Sequence, residues 1–395
     1  MTFVYDIVNL EIFVVIFLFI VAYYLRLEPL KVFLLFGHIL AIFILNDVLF
    51  SPSYFGDQRV QLDAAKIFRY GVGQYDFPGW KVAFPSLIFS FFPIPFINSV
   101  QSIAMINFII FLLMFLFIKK ANLSNNSVDY FYLLYPSLLL YSSLALRDTL
   151  ILSIMMIGVY IILIREKYII GLIVSSPIFL LKFQNYLMII GALIIFFYLK
   201  KASKWRYIFL AIFVVIASFV PEKVPIVADL YGRLERWRLA LFYDQYMYNW
   251  EYIEQMNISA LYQPLGSGFI LLYQMLKNFF YMLLKPFLWE CDNPFQLIQS
   301  FENLVIFAMI IWVNWKKIVN EKIKQKIMFL NCLLFVSMTI NGLVIFNFGS
   351  AVRYKYPFMV IYFVYFFYFL RNDELIVKQL QTAWSHQNGL KPTTI

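Results

Sequence analysis

Histidine and cysteine, the side chains most often used for general-base and metal chemistry, are almost missing from this 395-residue chain, which has two of each. His38 lies inside an apolar run and His386 near the C-terminus. The loops assigned below to the outer side therefore hold no histidine to serve as base or metal ligand. Cys332 sits in an apolar stretch and Cys291 outside one, which gives no basis for a structural disulfide. Charge is scarce too. Only 14% of residues are Asp, Glu, Lys or Arg and 63% are hydrophobic, whereas a soluble domain carries about a quarter charged residues. Such a chain cannot cover itself in water. No Gly-rich loop ending in Gly-Lys-Ser/Thr is present, which excludes an ATP-driven pump of that type. Heptads, internal repeats and low-complexity tracts are absent as well. Asp6 and Glu11 stand where a secretory signal has basic residues, and no small-residue cleavage site follows. The first apolar run is therefore expected to be a retained span.

What is present is a series of apolar runs near the length of roughly 17–25 residues that a spanning helix needs. They are Val8–Leu25, Val32–Phe50, Ser99–Ile118, Tyr130–Leu146, Leu150–Ile164, Tyr207–Val220, Phe301–Trp315, Ile327–Phe346 and Tyr356–Leu370. Two shorter runs, Ile169–Leu181 and Leu187–Leu199, flank Lys182-Phe183-Gln184-Asn185 and read as a hairpin with a polar tip. The expected fold is all-α: a polytopic membrane protein of about eleven spans, with outer loops and interfacial helices. Lys and Arg cluster in alternate short loops, which places those loops in the cytoplasm. The alternation holds if Ala83–Ile97, broken by Pro85, Pro93 and Pro95, and Phe269–Phe287 do not cross. The first reads as re-entrant or surface-lying and the second as an interfacial amphipathic helix. The N-terminus is then outside and the C-terminus inside. Residues 1–370 form one membrane domain with outer loops near 51–98, 221–300 and 347–355, and 371–395 form a cytoplasmic tail. The net charge of +10 follows from this topology and does not indicate nucleic acid.

Because the long loops all fall outside, the candidate residues do too. Asp57 follows Gly56 on a turn before a short surface helix, where a capping role competes with a site role. Arg147-Asp148 interrupts an otherwise apolar stretch from Tyr130 to Ile164. Ionisable groups at such depth are functional candidates, although a snorkelling pair has the same sequence. Lys182 with Gln184 and Asn185 follows the same logic. Arg233 and Arg236 lie one turn apart on a helix and suit either headgroups or a phosphate clamp. Glu290 and Trp289 close Lys285-Pro286-Phe287-Leu288-Trp289-Glu290, and Arg353 lies outside against the charge bias. Arg147, Asp148, Lys182 and Arg353 are expected to converge. Tyr246, Tyr248, Trp250 and Trp289 suit sugar stacking and membrane anchoring equally.

Four segments together resemble the bacterial O-antigen and capsule polymerases, and more broadly the C-type membrane glycosyltransferases that use polyprenyl-linked sugars. They are the acidic loop with Asp57 and Asp63, Pro136-Ser137…Arg147-Asp148, Lys285 to Glu290, and Asn347-Phe348-Gly349…Arg353. The acidic loop follows the second span here, and usually the first in the C-type enzymes. The resemblance implies an inner-membrane enzyme that joins undecaprenyl-pyrophosphate-linked repeat units on the outer face. It implies no metal and no cofactor. Arg353, Arg147, Lys182 and Arg233, with Arg236 and Trp289, would hold the pyrophosphate and its glycan. Asp148, Glu290 or Asp57 would be the base toward the acceptor hydroxyl. Membrane lipids and a chain-length regulator are the further partners it implies. A C-type transferase using a polyprenyl-phosphate sugar, a lipid-linked-sugar translocase and a non-catalytic assembly partner remain the alternatives.

Overall fold

The computed structural model describes residues 2–46, 48–50, 56–71, 79–200, 204–219, 225–247, 263–345 and 348–387. Among them the chain is helical, with no strand beyond one isolated bridge between Asn46 and Phe50. Among the described residues five helices are long and apolar enough to cross a membrane: Val4–Leu25, Val100–Lys120, Pro177–Lys200, Pro294–Trp315 and Glu321–Val344. Shorter apolar helices include Pro29–Leu45, Trp80–Phe91, Asp148–Leu163 and Phe269–Leu284. This is the architecture of a multi-pass membrane protein.

The helices are numbered along the chain. They are α1 (Thr2–Asn9), which a π-helical turn joins to α2 (Ile16–Leu25), then α3 (Pro29–Leu45), α4 (Gly56–Tyr70), α5 (Trp80–Phe91), α6 (Val100–Lys120), α7 (Asn126–Leu134) and α8 (Pro136–Ser142). Next come α9 (Asp148–Leu163), α10 (Tyr168–Ser175), α11 (Pro177–Lys200), α12 (Lys204–Ser218) and α13 (Pro225–Met247). The last four are α14 (Phe269–Leu284), α15 (Pro294–Trp315), α16 (Glu321–Val344) and α17 (Phe348–Gln387). The chain divides into two compact units. The first holds Met1–Leu187, Ile318–Lys324 and Met359–Ile395; the second holds Met188–Lys317 and Gln325–Phe358.

Helix starts follow local chemistry. Ser99 caps α6 by accepting from the Ser102 N–H, Asn125 caps α7, and Asn293 caps α15 ahead of Pro294. Helix α6 is apolar all round and buried almost throughout from Val100 to Phe115, so it forms the centre of the first unit. Helices α9 and α10 cross where Gly158 meets Ser175. A Cβ on Gly158 would lie 1.9 Å from the Ser175 hydroxyl, so only glycine allows this approach.

Several expected elements differ. The Tyr130–Leu146 run is not one continuous helix: α7 stops at Leu134 and α8 starts at Pro136. The residue before a proline is pushed out of the helical region, and Tyr135 has ψ 110°. The expected hairpin tip at 182–185 reduces to one non-helical residue, Lys182 (φ −161°, ψ 79°), inside α11. Ala83–Ile97 is helical only to Phe91 and irregular from Phe92 to Ser99, as Pro93 and Pro95 require. Asp57 lies in the first turn of α4 and not on a turn before it. Arg353 is on α17 and not in a loop, because that helix already begins at Phe348 and runs through Pro357.

Candidate functional site

The segment Ser143–Arg147 between α8 and α9 is irregular, yet Ser143, Leu144, Ala145 and Leu146 are buried. Buried backbone outside a helix must find partners for its N–H and C=O groups. Here side-chain amides from three other helices supply them. Asn46 at the end of α3 donates to Ser143 O at 2.9 Å, and Asn107 of α6 donates to both Leu144 O and Leu146 O at 2.6 and 2.7 Å. The Ala145 N–H donates to Gln58 Oε1 of α4 at 2.7 Å. Thr149 Oγ1 donates to Tyr141 O at 3.1 Å, closing the loop on itself. His38 is used nearby: Nε2 lies 3.0 Å from Leu133 O and Nδ1 3.4 Å from Ser142 Oγ, with the ring stacked on Phe111. It packs the break between α7 and α8.

This clamped segment presents Arg147 and Asp148. Asp148 opens α9, where the helix dipole favours a carboxylate. Its Oδ1 lies 3.6 Å from Lys182 Nζ, with side chains 2% and 7% exposed. The break in α11 falls at Lys182 itself, and Asn185 follows one turn later, buried, with its amide 3.7 Å from Met155 Sδ of α9. Asn185 Oδ1 has no hydrogen-bond partner among the described residues. Arg147 is half-buried and donates to Lys81 O, and the Lys81 amine stands 5.8 Å from the Phe183 ring centre. The result is a carboxylate, an ammonium, a guanidinium and a spare amide oxygen carried by neighbouring helices. A buried pair of this kind is a poor source of stability, since desolvation offsets its attraction.

Asp57 is exposed on α4, and the residue of that helix that reaches the clamped segment is its neighbour Gln58. The remaining candidates belong to the second unit. Lys285 Nζ pairs with Glu290 Oε1 at 2.8 Å, while Glu290 Oε2 accepts from the Phe287 N–H at 3.1 Å. Trp289, 80% exposed, stacks on Phe287 at 4.9 Å with 9° between the rings. Arg233 is paired with Asp229 at 2.8 Å, and Arg236 lines a cleft of about 420 Å³ with Asp229 and Glu235. Arg353 is half-buried on α17. Two residues further along, Lys355 is fully buried and donates to Asn303 Oδ1 at 2.5 Å. Asn303 in turn donates to Lys285 O at 2.8 Å, and Gln299 donates to Asn303 Oδ1 at 2.9 Å. The side chain of Tyr246, together with residues Tyr248, Trp250 and Asn347, lies outside the described residues.

A second buried cluster lies at the opposite end of α3. Asp129 accepts from Lys31 at 2.9 Å, from Lys119 at 2.5 Å and from Ser124 Oγ at 2.7 Å, which ties α3, α6 and α7 together. It joins the first turn of α3 and the last turn of α6 to a helix start, and reads as a structural lock.

Sequence reasoning singled out Arg147, Asp148 and Lys182 but missed Asn46, Gln58, Asn107 and Lys355 as parts of buried networks. Gln58 carries no local signal, because its partner lies 87 residues away, and Asn46, which also donates to Ile42 O of its own turn at 2.7 Å, reaches Ser143 O 97 residues away. Comparison with protein-family models, curated proteins and solved structures gives no match to this chain.

Proposed function

We propose that the chain is a metal-independent glycosyltransferase of the envelope-polysaccharide polymerase type, acting on undecaprenyl-pyrophosphate-linked repeat units. The observation that carries this reading is the buried Asp148–Lys182 pair next to Arg147, held on an irregular segment that three helices clamp. Asp148 takes the proton of the acceptor hydroxyl as that oxygen bonds to the anomeric carbon of the donor sugar. The bond from that carbon to the pyrophosphate oxygen breaks, and the lipid pyrophosphate leaves as an anion. Lys182 and Arg147 stabilise the charge that develops on it, a task that fixed cations perform without reorganisation. In the same reading Arg353, Arg233 and Arg236 serve the pyrophosphate, Trp289 stacks on the glycan, and Asp57 or Glu290 stands as the alternative base. The reading keeps about eleven crossings, the N-terminus outside, the C-terminus inside and the site on the outer face of a bacterial inner membrane.

The test is chain extension by the purified protein in liposomes, with lipid-linked repeat units extracted from cells that lack it. The native protein should convert single units into a ladder on a gel. Asp148→Asn keeps the size and polarity of the side chain, and it should cut extension by about 10²–10⁴-fold, as loss of a general base does. A ladder of native length from Asp148→Asn would remove Asp148 from the chemistry. Transfer of one sugar from a polyprenyl phosphate, without a ladder, would reassign the chain to the single-sugar transferases.

A further inference from the structure

A cleft of about 400 Å³ in the first unit is lined by Tyr5, Lys66, Tyr70, Phe96 and Asn98. None of these residues takes part in the Asp148 site. We infer that this cleft binds a sugar ring carrying an anionic group, and so holds an acidic residue of the glycan; this rests on the proposed polymerase reading.

The walls are fixed in advance. Arg69 of α4 donates to Ser90 O, Phe92 O and Ile94 O at 3.1, 2.9 and 2.6 Å, which satisfies the irregular Phe92–Ser99 stretch. Asn9 holds Phe96 from both sides, donating to its O at 2.8 Å and accepting from its N–H at 3.1 Å. The Tyr70 hydroxyl accepts from the Ile97 N–H at 2.9 Å, which pins the ring against the cleft. Tyr5 and Phe96 meet at 4.7 Å with 50° between their planes and form a corner. Lys66 is one turn before Tyr70 on α4, so both project to the same face. Among the described residues Lys66 forms no ion pair.

Each element matches one part of such a ligand. The volume lies within the range of about 300–1,000 Å³ typical of small-molecule sites. Aromatic faces stack on the C–H face of a pyranose, the Asn98 amide offers both a donor and an acceptor to hydroxyls, and the half-buried ammonium accepts one negative charge. A pre-organised wall loses little entropy on binding.

Binding to the full-length protein in detergent tests this by calorimetric titration with glucuronic acid, glucose 6-phosphate, glucose, inorganic phosphate and benzoate. The acidic sugars should bind at least about tenfold more tightly than glucose, as expected for one charge-assisted hydrogen bond, and more tightly than phosphate or benzoate. Their rank then distinguishes a carboxylate from a phosphate substituent. Lys66→Gln should bring the acidic sugars down to the level of glucose, and Lys66→Arg should restore most of the difference. Phe96→Ala should weaken glucose and the acidic sugars alike. Native elution on size exclusion checks the fold of each variant. The inference is overturned if no sugar binds, if phosphate or benzoate binds as well as the acidic sugars, or if Lys66→Gln leaves their affinity unchanged. Because the titration needs no turnover, sugar binding by Asp148→Asn without extension separates this site from the proposed chemistry. Extension by the native protein with an empty titration would retain the polymerase reading and discard the cleft.

Discussion

Asp148 and Lys182 meet across two helices of the first unit with 2% and 7% of their side chains exposed, whereas Lys285 and Glu290 of the second unit have 26% and 27% exposed. The first pair is 3.6 Å apart and the second 2.8 Å, so the looser contact is the more buried one. Exposed pairs contribute about 0–1 kcal/mol, and buried pairs often contribute nothing net because desolvation cancels the attraction. The Lys285–Glu290 pair closes a short turn and presents Trp289 on a stacked base. The Asp148–Lys182 pair follows a buried irregular segment whose backbone is satisfied by side-chain amides from α3, α4 and α6.

The comparison can be sharpened by breaking the support of each pair. Asn107→Leu removes the side-chain donor to Leu144 O and Leu146 O, leaving Leu144 O with only the Leu146 N–H at 2.9 Å and the buried Leu146 O without its amide partner. A buried group that loses its partner costs about 1–3 kcal/mol. The variant should therefore show a clear fall in the midpoint of SDS-induced unfolding and lose extension activity with it. A midpoint equal to the native one would mean that the clamp is dispensable. Lys285→Met should act much less: about 0.2–1 kcal/mol for a partly exposed pair, a shift near the resolution of the same titration. A loss as large as that of Asn107→Leu would show that the two pairs do not differ in kind.

Much of the fold is legible in the chain. The apolar runs give the long helices, Ser99, Asn125 and Asn293 mark helix starts, and Pro136 marks the break that divides one apolar run. Among the described residues five helices are long and apolar enough to cross, while apolarity alone does not reveal where a run breaks, as at Tyr135 between α7 and α8. In the site, Arg147 and Asp148 were visible because charge interrupts an apolar run. Lys182 was visible for the same reason, although as a hairpin tip and not as a break in α11. The clamp was not visible. An asparagine within an apolar helix looks the same whether it pairs with its own turn or with a carbonyl 37 residues away, as Asn107 does. Lys355 was hidden by its place next to Arg353: both looked like outer-loop cations, and only the helix start at Phe348 turns Lys355 inward onto Asn303.

The most direct measurement is chain extension by a protein in which the two charges are exchanged, Asp148→Lys together with Lys182→Asp. Either change alone places two like charges in a buried site and should prevent folding. The exchanged protein restores the pair and should again elute as a folded species, somewhat weakened by a cation at the start of α9. It should form no ladder, because the base and the cation have traded places relative to Arg147 and the acceptor. A folded, exchanged protein that builds chains of native length would contradict the account and leave Asp148–Lys182 as a structural pair.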